Sequence, residues 1–285
     1  MRELKSVLLH LDASANAAAR LQLARRLAQT HGARVEALYA VLPTVLQYPF
    51  AFAADGHGAA LLMNYEAEQR ERIKALFEQE RKRGNGTAPA PMIWHETADE
   101  PVRALTQQAW GADLLVLAQH DPDPKAYSGV PPEFAAAVLL ESVKPGLVMP
   151  YISTGAEIGN QVLVAWKPTA ESARAVTAAL PILQRARQVH VAVWDEAAGN
   201  GGAAPPPVAI EPYLRHHGIN ATVHRGGPPT RELGDLLLSL AADLQADLLV
   251  MGCYGHGHGR AREWALGGAT RTVLRSMTLP VLMVH

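Results

Sequence analysis

The sequence predicts an α/β fold built from two doubly wound domains, each with a five-stranded parallel sheet and helices on both faces. Three observations support this prediction: apolar strand-like runs alternate with helix-like segments, the apolar runs are continuous, and the second half of the chain repeats the first. Continuous apolar runs are typical of parallel strands that are covered on both faces. Regular alternation of such strands with helices is typical of a doubly wound sheet.

The first half predicts strands and helices in strict alternation. Most of the strands are rich in Val, Leu and Ala, and the helices are followed by glycine or proline, which end a helix. The strands are predicted at residues 6–12, 35–41, 92–96, 113–118 and 146–150, and the helices at 13–31, 62–83, 101–110 and 133–143. The long helix at 62–83 carries charges of both signs at helical spacing, which is typical of a solvated face.

The second half repeats this order. Strands are predicted at residues 162–167, 189–194, 221–225, 246–251 and 280–284, and helices at 172–186, 208–217, 230–244 and from about Gly268 onward. The segment at 113–116 reads DLLV, as does the segment 134 positions later at 247–250. Such a repeat indicates an internal duplication. We therefore expect two domains, at residues 1–153 and 158–285.

The composition excludes several classes of protein. The net charge of the 285-residue chain is −1, so we expect no general attraction to nucleic acid or to an anionic membrane. No apolar run approaches the length of a membrane span. Cys253 is the one cysteine of the sequence, which rules out a disulfide within the chain. These features predict a cytoplasmic protein.

Glycines crowd the end of the fourth strand of the second half. Residues 252–259 read GCYGHGHG, and Gly267 and Gly268 follow shortly before Thr270. Glycines at the carboxyl end of a strand let backbone N–H groups approach an anion without interference from Cβ atoms. A helix that begins near Gly268 would add its positive end. The stretch is a candidate phosphate cradle, and a sharp strand-to-helix turn is the alternative explanation of the same glycines.

Other reactive side chains form no recognisable catalytic or metal-binding pattern. His120, His256 and His258 lack the spacing of a zinc-ligand set, and Cys253 has no base nearby in the sequence. No Ser-His-Asp arrangement or pair of catalytic carboxylates is evident. The sequence therefore predicts no metal site and favours a non-catalytic protein over a weak ATPase or other nucleotide hydrolase.

The second half carries the motifs LLVMGCYG at 248–255, LGGAT at 266–270 and LPVLMV at 279–284. With these motifs and the duplication, the whole chain resembles the universal stress protein family in its tandem two-domain form. Nucleotide-binding members carry Gly-x2-Gly, nine residues, and a glycine followed by Ser or Thr. Gly252 and Gly255 match the first pair, but residues 256–266 form an interval of eleven, and Gly268 occupies the Ser or Thr position. If Gly257 is taken as the second glycine of the motif, residues 258–266 form an interval of nine, but Tyr254 then occupies the position of the first glycine.

The resemblance implies a strand order of 3-2-1-4-5 in each domain and an antiparallel meeting of the two fifth strands, which makes the chain an internal pseudo-dimer. A further homodimer and an unidentified protein partner remain open. ATP or another adenine nucleotide with Mg²⁺ is the implied ligand, and nucleotide-binding relatives place an aspartate at the end of the first strand. This chain has Asp12 there in the first half and Lys167 in the second.

We expect a nucleotide in the second half alone. The first half places Gln119, His120 and Asp121 where the second has its glycines, so side chains and a negative charge would oppose a phosphate. The predicted nucleotide-binding residues are Trp166, Lys167, Val193, Trp194, Val223, Gly252, Gly255, Gly257, Gly267, Gly268 and Thr270. The resulting hypothesis is a non-catalytic stress-response protein that binds an adenine nucleotide. The alternative is a nucleotide-free interaction or regulatory protein in which both sites have decayed.

Overall fold

A computed structural model describes residues 3–43, 46, 57–83, 90–123, 126, 128–153, 157–194, 208–254 and 268–285. The chain divides into two compact units. The amino-terminal unit comprises Leu4–Lys144 and Tyr151–Ala156, and the carboxyl-terminal unit comprises Met1–Glu3, Pro145–Pro150 and Glu157–His285. Within the ranges described, no helix is both long and apolar enough to cross a membrane.

The amino-terminal unit contains a parallel sheet of order β3-β2-β1-β4. Its elements are β1 (Ser6–Leu11), α1 (Ala17–His31), β2 (Arg34–Ala40), α2 (His57–Lys82), β3 (Met92–Thr97), α3 (Pro101–Ala109), β4 (Leu114–Ala118) and α4 (Phe134–Ser142). Every residue of β1 is buried, as the continuous apolar run predicted. The predicted alternation of strands and helices is therefore confirmed in this unit.

The carboxyl-terminal unit contains a sheet of order β5-β10-β9-β6-β7-β8. Its elements are β5 (Gly146–Met149), β6 (Gln161–Ala165), α5 (Ala170–Leu183), β7 (Gln188–Trp194), α6 (Glu211–His216), β8 (Ala221–Gly226), α7 (Leu233–Asp243), β9 (Leu248–Gly252), α8 (Gly268–Ser276) and β10 (Val281–Val284). Strands β6 to β10 follow the predicted order 3-2-1-4-5. The predicted antiparallel pairing of the two fifth strands is also confirmed, because Leu282 of β10 pairs with Leu147 of β5.

Local hydrogen bonds explain where several helices begin and end. Helix α1 begins at Ala17, four residues later than predicted, because the backbone N–H and hydroxyl of Ser14 both donate to the Asp12 carboxylate. Such a side-chain turn competes with helical hydrogen bonds. The same helix ends at Gly32, which has a left-handed φ of 63°. Helix α3 begins where the Glu100 carboxylate accepts hydrogen bonds from the first-turn N–H groups of Val102 and Arg103.

One histidine lies inside the amino-terminal unit. His10 of β1 is fully buried, and its Nε2 donates to the carbonyl oxygen of Ala40 at 2.9 Å. Its ring also packs against Phe134, with ring centroids 4.3 Å apart. Burial lowers the pKa of His10 from 6.5 to about 4, against the opposing attraction of Asp12. The neutral ring is therefore part of the folded core.

The first turn of α5 packs tightly against the end of β9. An ideal Cβ on Gly252 would lie 2.6 Å from the backbone nitrogen of Ser172 and 2.7 Å from the carbonyl carbon of Glu171. Backbone atoms cannot move aside as a flexible side-chain tip can. The packing of a helix onto this strand therefore requires glycine at position 252.

We predict that His10 makes the fold sensitive to acid. An unfolded histidine binds a proton below about pH 6.5, whereas the buried ring does so only near pH 4. The free energy of unfolding should therefore fall as the pH drops through this window, by up to about 3 kcal/mol. Denaturant titrations at pH 7 and pH 4.5 should show a much smaller fall in the free energy of unfolding for His10→Gln than for the wild type. His216→Gln, at an exposed position, is the control and should keep the wild-type pH profile. An unchanged profile in His10→Gln would contradict this account.

We predict that Gly252→Ala destabilises the protein by about 1–3 kcal/mol, because overpacking forces the backbone to shift. Gly227→Ala is the matched control, since a Cβ there would meet no atom within 4 Å. Its free energy of unfolding should stay within about 0.5 kcal/mol of wild type, as at most surface positions. Chemical denaturation with a constant slope m measures both effects. Equal stability of the two variants would refute the packing role of Gly252.

Candidate functional site

The candidate site lies in the carboxyl-terminal unit, at the carboxyl ends of β6 and β9. In the order β10-β9-β6-β7, the strand next to β6 in sequence lies on one side of this pair and the strand next to β9 lies on the other. The direction in which the chain adds strands therefore reverses between β6 and β9. In open parallel sheets, ligands bind in the crevice outside the strand ends at such a reversal. Residues 166–167 follow β6 at this edge of the sheet, and residues 253–254 follow β9.

The end of β6 presents one buried aromatic and one exposed cation. Trp166 is buried: its indole Nε1 donates to the Val208 carbonyl at 3.0 Å, and its backbone N–H donates to the Ala192 carbonyl at 2.9 Å. Lys167 is exposed, and its backbone N–H donates to the Ser172 hydroxyl at 3.4 Å. Trp166 is therefore anchored in the core, whereas Lys167 brings a positive charge to the strand end.

The end of β9 continues from Gly252 into the buried Cys253. The Cys253 N–H donates to the Val284 carbonyl at 2.9 Å and extends the pairing with β10. Burial raises the pKa of the Cys253 thiol to about 12, and the negative charge of Glu171 contributes in the same direction. The thiol is therefore protonated at neutral pH, as expected for a structural cysteine rather than a nucleophile.

Tyr254 connects this strand end to helix α8. It is 7% exposed and has a φ of 57°, in the left-handed region that non-glycine residues rarely adopt. Its backbone N–H donates to the hydroxyl of the buried Thr270 at 3.4 Å, in the first turn of α8. The ring meets that of His285 edge-on, with centroids 6.2 Å apart.

Two helix amino termini therefore approach the end of β9. Helix α5 contacts it at Gly252, and α8 contacts it through Thr270 and Tyr254. Each terminus carries partial positive charge, which favours an anion nearby. Gly268, the first residue of α8, is exposed, and a Cβ there would meet nothing within 4 Å. In the first turn of α5, the buried Glu171 lies 3.5 Å from the guanidinium of Arg174, which offsets its negative charge.

Three of the predicted nucleotide-binding residues, Val193, Trp194 and Val223, lie on different faces of the sheet. Val223 pairs with Val191, so Val193 and Val223 lie on one face of β7 and β8. Trp194 points to the opposite face. Its indole lies on Gly226, where an ideal Cβ would be only 2.5 Å from Nε1. The structure therefore brings together Val193 and Val223 but separates Trp194 from them.

Three of the predicted site residues, Gly255, Gly257 and Gly267, lie outside the described residues, as do His256 and His258. Among the side chains that the structure describes, no group of three or more His, Cys, Asp and Glu residues could hold a metal ion.

The equivalent place in the amino-terminal unit is filled by the unit itself. Asp12 is fully buried and accepts hydrogen bonds from Arg20, also buried, and from Ser14. Burial would raise the pKa of Asp12, but the charge of Arg20 and the Ser14 hydrogen bonds hold it below its usual value. The carboxylate is therefore ionised and already paired.

Two backbone N–H groups near Asp12 also donate hydrogen bonds within the unit. The N–H of Ala13 donates to Ser128 at 3.2 Å, and that of Leu42 donates to Gly129 at 2.7 Å. These acceptors belong to the loop between β4 and α4, which therefore covers the ends of β1 and β2. Gln119 is buried and its side chain accepts from the Tyr151 N–H at 3.1 Å, whereas His120 is exposed. At this place the described residues of the unit therefore contact one another.

Sequence reasoning did not identify Arg20 or the loop residues Ser128 and Gly129 as part of this arrangement. A signal for Arg20 was available. It lies on the same helical stripe as Ala17, Leu21 and Ala24, all of which are buried, so a charge at that position requires an internal partner. The carbonyl contacts of the loop depend on backbone conformation and leave no such signal in the sequence.

Comparison with known proteins supports one family. The model of the universal stress protein family matches residues 3–142 and again 160–285. Among curated proteins, no sequence matches the chain. The chain also resembles solved structures to which its sequence identity is low, so this likeness establishes the fold alone.

Solved structures share this fold. A universal stress protein from Archaeoglobus fulgidus DSM 4304 is 16% identical with a TM-score of 0.63, covering 98% of this chain and 97% of its own. A putative universal stress protein from Pseudomonas aeruginosa UCBPP-PA14 is 17% identical with a TM-score of 0.59, covering 99% of this chain and 93% of its own. With the family model matching in both halves, the chain belongs to the universal stress protein family as a tandem two-domain member.

Proposed function

We propose that the protein is a non-catalytic stress-response protein that binds an adenine nucleotide in its carboxyl-terminal unit. The observation that carries the proposal is the contrast between the two copies of the fold. In the amino-terminal unit, Asp12 and the N–H groups of Ala13 and Leu42 have internal partners. In the carboxyl-terminal unit, two helix amino termini and the exposed Lys167 surround the equivalent strand ends.

The charge of the carboxyl-terminal unit supports a phosphate rather than a cation. Lys167 stands where nucleotide-binding relatives are expected to have an aspartate, and the partial charges of α5 and α8 are positive at this end. The described residues offer no acidic set for Mg²⁺. We therefore propose that Lys167 contributes part of the charge that balances the phosphates.

One observation favours the nucleotide-free alternative. Gly252, the first glycine of the predicted cradle, is required by the packing of α5 on β9, so this glycine does not by itself indicate a ligand. An interaction protein would retain it for the same reason. A binding measurement separates the two functions, because a nucleotide at 100 times its Kd should stabilise the native protein by about 2.7 kcal/mol.

We predict that Gly268→Asp weakens nucleotide binding at least tenfold, because a carboxylate in the first turn of α8 would repel a phosphate. The same carboxylate should leave the free protein as stable as before or slightly more so, since it complements the helix dipole. Gly268→Asn has nearly the same shape without the charge and is the matched control. The measurement is the change in melting temperature over titrations with ATP, ADP and AMP, with and without Mg²⁺.

The outcomes of these titrations separate the two functions. A shift in the wild type that Gly268→Asp largely removes and Gly268→Asn largely keeps supports a phosphate at α8. A wild-type shift that all variants share would place the nucleotide elsewhere. If the wild type shows no shift with any nucleotide, and none is released on denaturation, the interaction function replaces this proposal.

A further inference from the structure

We infer that the imidazole rings of His190 and His224 form a binding site for a divalent late first-row transition metal such as Zn²⁺. The two residues lie on the neighbouring strands β7 and β8 of the carboxyl-terminal unit. Neither belongs to the proposed nucleotide site, so the inference goes beyond the proposed function. It rests on the geometry of the pair, its access to solvent and the chemistry of imidazole.

The register of the sheet brings the two rings together. Ala192 pairs with His224 and lies two positions after His190 in β7, so the histidines are diagonal neighbours on one face of the sheet. The ring centroids are 5.2 Å apart. The Nδ1 atom of His190 lies 3.1 Å from the Nε2 atom of His224, so two ring nitrogens face each other.

The distance between these nitrogens matches that of two ligands on one metal ion. Zinc binds imidazole nitrogen at about 2.0–2.1 Å. Two such nitrogens lie about 2.8–3.4 Å apart when the angle at the metal is about 90° to 110°, as in octahedral and tetrahedral sites. The observed 3.1 Å falls within this range. Chelation of a metal ion therefore requires the rings to turn but not the strands to separate.

Both facing nitrogens must be free of protons to bind a metal ion. Burial lowers the pKa of His190, and the charge of His224 contributes in the same direction, so the His190 ring is neutral at neutral pH. In the metal-free pair, one of the facing nitrogens carries the proton of the hydrogen bond. Metal binding moves this proton to the other nitrogen of the same ring, so it changes a tautomer and leaves both rings neutral.

The surroundings of the pair also suit a metal ion. His190 Nε2 is buried and makes no hydrogen bond within the described structure, so a metal at Nδ1 displaces no partner of that atom. Both residues are half-buried, and β8 is the last strand of the sheet. The described residues bring no third His, Cys, Asp or Glu to the pair. Water therefore completes the coordination, as at metal sites with open positions.

The amino-terminal unit does not repeat this pair. Glu36 and His95 occupy the equivalent positions in β2 and β3, where the strand register is the same. The Glu36 carboxylate lies 2.8 Å from the Arg34 guanidinium and therefore already has a cation as its partner. We expect the metal in the carboxyl-terminal unit alone, and His95 provides a matched histidine for a control variant.

Titration of the full chain with Zn²⁺, followed by calorimetry and by thermal unfolding, tests this inference. The wild type should bind Zn²⁺ and unfold at a higher temperature, because a ligand of the native state stabilises it. His190→Gln and His224→Gln should each raise the Kd for Zn²⁺ by about tenfold or more, since even the loss of a ligand's outer partner costs about 10–100-fold. His95→Gln should keep the wild-type Kd. Mg²⁺, which prefers oxygen ligands, should cause no shift.

Several outcomes would overturn the inference. A wild type without a Zn²⁺-dependent shift would do so, as would an equal Kd in wild type, His190→Gln and His224→Gln, because the ion would then bind elsewhere. An equal loss in His95→Gln would also contradict it. Circular dichroism of the metal-free variants checks their folding, and His224→Gln decides alone if His190→Gln does not fold. AMP titrations of His224→Gln should match the wild type, so the result is independent of the proposed function.

Discussion

The carboxylate of Asp12 lies inside the amino-terminal unit and remains charged there because Arg20 lies against it. Removing one partner of a buried ion pair destabilises a protein by roughly 3–5 kcal/mol, because the other charge is left without compensation. A ligand that displaced Arg20 from this aspartate would bear a similar penalty. The pair therefore stabilises the end of β1.

The equivalent place in the carboxyl-terminal unit has different residues. Lys167 takes the place of Asp12, and no buried ion pair is needed at the end of β6 because the lysine is exposed. The end of β9 is held by backbone packing at Gly252 and by the Tyr254–Thr270 hydrogen bond. In one copy Asp12 is therefore paired with Arg20 and Ser14, whereas the other has helix ends and a cation at the equivalent place.

Much of the fold could be predicted from the sequence because parallel strands that are buried on both faces consist of continuous apolar runs. The strand order and the pairing of β5 with β10 came from the family resemblance, not from those runs. The start of α1 differed because Ser14 bonds to Asp12, a local preference that apolar periodicity does not register. Element boundaries are decided by such contacts.

The site was less predictable than the fold. Glycine has more than one use, and Gly252 is accounted for by its contact with α5. Strand alternation could have separated Trp194 from Val193 in advance, since neighbours along a strand face opposite sides. The left-handed backbone and unpaired hydroxyl of Tyr254 could not have been predicted, because both depend on the tertiary arrangement around one residue.

The number of nucleotides bound per chain tests the central claim most directly. Equilibrium dialysis or titration calorimetry with the full chain measures it without relying on any variant. The Asp12–Arg20 pair at the end of β1, and the helix ends and Lys167 at the equivalent place in the carboxyl-terminal unit, together predict one nucleotide per chain at saturation. Two equivalent nucleotides per chain would contradict the account, because the end of β1 would then have to accept a ligand despite the Asp12–Arg20 pair.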